Sequence, residues 1–158
     1  MELETTRFGK IEVDPESVLL FTQPVIGFAQ YREYVLIPAD ESGGLVWLQC
    51  TERGDLAFLL MDPSGVIPDY DPELRRDELQ ELEASSPEDV DVYTILVVAS
   101  DPAQIRTNLK APVLVNPSRR LARQTILERE DYPLRFYLVQ AQNAGDEHKE
   151  VENARSDA

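Results

Sequence analysis

At 158 residues, with 42% hydrophobic and 28% charged side chains, the chain fits one globular domain that buries roughly two thirds of its unfolded surface. Its net charge of −15 argues against nucleic-acid binding, which draws its affinity from Lys and Arg on phosphates. No apolar run approaches the roughly 18 residues of a membrane span, Met1-Glu2-Leu3-Glu4 is acidic where a secretory leader is basic, and Cys50 stands alone, so a cytoplasmic protein is expected.

Most apolar segments are short, β-branched or aromatic, and bounded by turn residues, which is the pattern of strands. Thr5 to Phe8 and Ile11 to Val13 flank Gly9-Lys10 and predict a hairpin turning there. Val18 to Phe21, Tyr34 to Ile37, Leu45 to Gln49 and Leu56 to Met61 follow as strands, the last ending at Asp62-Pro63. Asp71 is placed to cap a helix with Pro72 at its first position, Glu73 in its first turn, and Leu79 and Leu82 on its apolar stripe. A second helical turn is expected from Ser86-Pro87-Glu88.

Val92 to Val98 reads as a strand buried on both faces, and Val113 to Val115, Gln124 to Leu127 and Leu134 to Val139 complete the set. Many strands, one or two short helices and no βαβ rhythm predict a mainly β protein, a small antiparallel barrel-like single domain over residues 1–140. Residues 141–158 lack any apolar period and are expected to form a disordered polar tail.

Reactive chemistry finds little support. His148, the single histidine, lies in the tail, away from any partner that could orient it as a base. Cys50, beside Trp47 and Leu48 at a strand end, reads as an inert buried thiol, and Trp47 itself as a core residue. The alternation Asp69, Asp71, Glu73 lacks the glycine and late glutamate of a calcium loop. Gly27 and Gly43-Gly44 are isolated turn glycines and no phosphate cradle. The expectation is a binding protein without cofactor, metal or catalytic residues.

Charge is unevenly spread. Residues 69–91 hold ten acidic and two basic side chains, a net of −8, whereas residues 105–137 hold seven basic and three acidic. Such asymmetry steers a basic protein toward the acidic segment. It also suits a plain solvated face.

The segments in order resemble the FliW family of bacterial flagellar assembly factors. The likeness runs through Phe21, Gly27-Phe28, Tyr34 to Pro38, Leu48-Gln49-Cys50, Asp55 to Phe58, Asp62-Pro63 and Pro68-Asp69-Tyr70. Its most specific part is Thr107-Asn108-Leu109, Ala111-Pro112, Asn116, Arg120 and Gln124, closed by Tyr132 to Arg135. Cys50, Pro24 and Ala122 depart from the family's usual serine and glycines. The resemblance implies a β-barrel-like, monomeric protein that binds newly made flagellin and, when free of it, the RNA-binding translational repressor CsrA. On that basis Asp69, Asp71, Glu73, Asp77 and Glu78 form a ridge expected to face basic CsrA. A groove around Asn108, Leu109, Pro112 and Asn116 is expected to take an amphipathic flagellin segment, with Tyr70 as an interface anchor. The alternative of another class is a small-ligand-binding barrel.

Overall fold

The computed structural model describes residues 1–128 and 130–139. The tail beyond residue 140 and His148 lie outside the described residues. Strands β1 (Glu2–Thr5) and β2 (Gly9–Glu12) form the expected hairpin, with Leu3 opposite Ile11. Its turn is Thr6 to Phe8 rather than Gly9-Lys10. The Thr5 hydroxyl closes it, accepting from the Phe8 amide at 2.8 Å and donating to the Gly9 carbonyl at 2.9 Å. Gly9, at φ 70°, opens β2 in a left-handed conformation that costs glycine nothing.

Six strands follow through the middle of the chain: β3 (Leu19–Gln23), β4 (Glu33–Pro38), β5 (Leu45–Cys50), β6 (Ala57–Met61), β7 (Asp91–Val97) and β8 (Arg106–Thr107). Then come β9 (Val113–Asn116), β10 (Leu121–Gln124) and β11 (Phe136–Tyr137). The order β7-β6-β5-β4-β3-β10-β9 closes on itself through β7–β9 pairing, giving a barrel of seven strands. Every neighbour is antiparallel except β3 and β10, which run parallel with Leu20 beside Leu121. The expected barrel is present, and this one pair departs from its antiparallel rule.

Alternation along the strands sends Phe21, Tyr34, Leu48, Cys50, Leu60, Val113 and Val115 inward, where they pack as the main core. The Phe21 and Tyr34 rings sit 4.9 Å apart at its centre. The β1–β2 hairpin lies outside the barrel, burying Leu3 and Val13 against Val35 of β4. Gly54 permits that approach, since a Cβ there would stand 2.1 Å from the Glu4 carbonyl oxygen.

Three expectations are corrected. The helix, α1 (Arg76–Glu81), starts four residues after Pro72, and Asp71 does not cap it. Instead the amides of Asp71 and Glu73 are taken up by the Tyr132 hydroxyl and the Glu130 carboxylate, which hold residues 71–75 against the C-terminal loop. The Glu78 carboxylate accepts from the Arg75 amide at 2.8 Å, fixing the first turn there. Strand β7 is covered on both faces only in part: Tyr93 and Ile95 pack half-buried against the barrel core, Thr94 on the other face is fully enclosed and Val92 packs against Leu109 and Leu114, whereas Val97 and Val98 are exposed. The strand expected from Gln124 to Leu127 ends at Gln124. Thr125 and Leu127 still donate to the Pro112 and Lys110 carbonyls, but Pro112 has no N–H to return and the Lys110 amide is bound to Asn108.

Candidate partner-binding surfaces

The segment from β8 to β9 is where the fold is least regular. Both strands lie along one edge of β7, which pairs with β9 through Asp91 to Tyr93 and with β8 through Leu96 and Val97. Residues 108–112 bulge between them. Asn108 shapes that bulge: its side-chain oxygen accepts from the Lys110 and Ala111 amides at 3.0 and 3.1 Å. Leu109 turns inward, 2% exposed, against Tyr70 and Leu127.

Tyr70 is likewise a fold residue and not an exposed anchor. Its hydroxyl donates to the Leu109 carbonyl at 2.8 Å, and its ring meets Tyr132 edge-on at 4.7 Å. Burial, followed by the proximity of Tyr132 and Glu130, pushes its phenol well above the usual tyrosine range. Pro112 and Asn116 are buried as well. The Asn116 amide donates to the Leu82 carbonyl at 2.8 Å, tying the end of α1 to β9. Of the groove expected around Asn108, Leu109, Pro112 and Asn116, only Asn108 reaches the surface.

The acidic ridge is present with one member removed. Asp69, Asp71, Glu73 and Asp77 are exposed, and eight of the ten carboxylates between residues 69 and 91 face solvent. Glu78 is 2% exposed. One of its oxygens accepts from the Arg75 amide, and the other accepts from the Thr125 hydroxyl and lies 3.6 Å from the Arg75 guanidinium. It is an internal clamp between α1 and the chain after β10. Beside the ridge, Asp62, Asp71, Glu73 and Asp91 line an open cleft of about 580 Å3 whose walls include Pro72, Leu74 and Tyr93. Partial desolvation on the wall of this cleft, and secondarily the charge of Asp62, raise the Asp91 carboxyl above its ordinary range although it still reaches solvent.

Trp47 does not join the core. It faces out of β5 beneath the hairpin, with the Phe8 ring at 6.2 Å and the Arg7 guanidinium 4.0 Å from its ring centroid. Cys50 is fully buried, and burial raises its thiol pKa. Among the described residues no group of three His, Cys, Asp or Glu side chains is placed to hold a metal, and no helix is long and apolar enough to cross a membrane.

A surface not anticipated from the sequence lies at one end of the barrel. Ile26, Ile126 and Leu134 are large apolar side chains left exposed around a trough of about 420 Å3 floored by Val25, Phe58, Ile95 and Ala111. The signal was an apolar residue in each of three strandless segments: Val25-Ile26-Gly27, Thr125-Ile126 and Pro133-Leu134. Buried Gln124 joins the trough's two sides, accepting from the Ile26 amide at 2.7 Å and donating to the Ala111 carbonyl at 2.9 Å.

Comparison with known proteins places this architecture. The sequence model of the FliW protein family matches residues 2–138. The flagellar assembly factor FliW of Syntrophus aciditrophicus (strain SB) is 34% identical over 139 residues, 88% of each chain. That of Caldicellulosiruptor saccharolyticus is 38% identical over 137 residues, 87% of this chain and 90% of the relative. A crystal structure of the flagellar assembly factor FliW superposes with a TM-score of 0.81 at 29% identity, covering 87% of this chain and 96% of that one. The family-model match over residues 2–138, the identity to these relatives and the shared fold make this chain a member of the FliW family of flagellar assembly factors.

Proposed function

We propose that this chain is a cytoplasmic partner switch that couples flagellin supply to flagellin synthesis. It binds newly made flagellin as a chaperone would. When flagellin has been exported, the freed protein binds the repressor CsrA and relieves its block on flagellin translation. Such a switch needs two competing affinities and no bond-making chemistry.

The observation that carries this reading, beside the family, is the exposed carboxylate face of residues 69–91. A repressor that holds RNA must present cations, and eight outward carboxylates on a chain of net charge −15 attract such a protein while repelling RNA itself. The barrel interior, filled by Phe21, Tyr34, Leu48 and Leu60, favours this outer-surface role over a small-ligand carrier.

Calorimetric titration with purified CsrA, repeated after saturation with flagellin, tests the switch. Binding to CsrA that vanishes in the presence of flagellin is the expected result. Binding that survives would mean independent sites and a different logic of control.

A further inference from the structure

The trough at the barrel end combines two features that seldom coincide on an acidic protein. Its rim exposes three large apolar side chains, Ile26 at 56%, Ile126 at 46% and Leu134 at 61%, concentrated on one opening. Isolated exposed apolar residues are ordinary, but several sharing one concave site mark a surface that meets something apolar. The same opening carries a cation. Lys110 lines it and forms no ion pair among the described residues, although the chain has twice as many acidic as basic side chains.

A second trough, also about 420 Å3, continues past Ile26 and Ile126, where the Arg123 guanidinium is already paired with Glu81 at 3.2 Å. Apolar walls with one cation at the rim, Lys110, unpaired among the described residues, complement an amphipathic segment whose apolar side chains lie beside a carboxylate. The seat is preformed, because Gln124 ties the Ile26 loop to Ala111 across it. Ordering the loop therefore costs little when the segment arrives.

We propose that this trough seats an amphipathic, carboxylate-bearing segment of the flagellin partner, with its apolar side chains between Ile26, Ile126 and Leu134 and a carboxylate on Lys110. The proposal rests on the partner-switch reading and moves the flagellin site from the buried Leu109 and Asn116 to this exposed end. The apolar contacts supply most of the affinity, and Lys110 sets orientation and charge preference.

The test titrates purified unassembled flagellin into the full chain and into Ile126→Asp, Leu134→Asp and Lys110→Glu, with thermal unfolding to verify that each variant folds. Both aspartate variants alter exposed positions and are expected to fold while binding about tenfold or more weakly. Lys110→Glu is expected to weaken binding about three- to tenfold and to change its salt dependence. Wild-type binding matched by the folded aspartate variants would overturn the trough as the site while leaving the switch standing. Absence of flagellin binding by the wild type would overturn the switch and this proposal with it. A dimer in sedimentation velocity that Ile126→Asp dissolves would assign the trough to a second copy and overturn it too.

Discussion

Replacing Glu78 with alanine tests whether an acidic residue of the ridge is in fact an internal clamp. The substitution leaves the proton of the Thr125 hydroxyl, a residue only 2% exposed, without its acceptor, at a cost of about 1–3 kcal/mol. It also frees the Arg75 amide at the start of α1, worth about 0.5–2 kcal/mol. The ion pair adds less, under about 1 kcal/mol, because the Arg75 side chain is 40% exposed. The expected loss is about 2–5 kcal/mol, or roughly 5–15 °C in Tm for a domain of this size. Chemical denaturation followed by tryptophan fluorescence measures it directly. Asp77→Ala, one residue away with its side chain 71% exposed, serves as the control and should fall within about 0.5 kcal/mol of the wild type. A Glu78→Ala protein as stable as Asp77→Ala would refute the clamp and return Glu78 to the surface.

Reversing the exposed pair with Asp71→Lys and Glu73→Lys should slow association with CsrA several-fold and flatten its salt dependence, read by stopped flow; unchanged rates would remove the acidic face from recognition. Cys50, fully buried with its thiol pKa raised by burial, should resist a thiol reagent until the protein unfolds. Labelling at the speed of a free thiol would contradict its burial. Asp91 ionises against a raised folded-state pKa, so its penalty is absent in acid and grows as pH rises through and beyond the usual carboxylate range. Asp91→Asn should therefore gain slightly on the wild type at neutral pH and lose that gain below about pH 4, and equal stabilities throughout would show that burial is not felt there.

The strands were legible wherever a short apolar run rich in β-branched or aromatic residues met a turn residue, as in Tyr34 to Ile37 and Leu45 to Gln49, because such side chains suit a pleated, partly buried surface. The helix start was misplaced because Asp71-Pro72-Glu73 is a good capping sequence whose amides are claimed by residues some sixty positions later, Tyr132 and Glu130. Local propensity carries no information about such a claim. The strand boundary at Gln124 turned on the missing N–H of Pro112, which matters only once the two segments are known to be neighbours. The site residues divided the same way. Exposed Asp69, Asp71 and Asp77 could be read from charge, whereas the burial of Glu78, Leu109 and Asn116 depends on tertiary partners. The trough escaped notice because its three apolar side chains come from three separate loops.

The lone parallel pair has a kinetic consequence. Barrel closure waits for β10 to reach β3, and the Thr22 hydroxyl contacts the Ala122 carbonyl across 100 residues of chain. Closing so long a loop costs entropy before any strand contact repays it, and contacts this distant in sequence slow folding. A ribosome-bound chain that stops short of β10 has the hairpin and the β3–β6 meander but an unclosed sheet with bare edges. The protein is therefore expected to become competent only once β10 has joined β3, with a lag between the synthesis of its first strands and its action that refolding kinetics of chains truncated before and after Gln124 would expose.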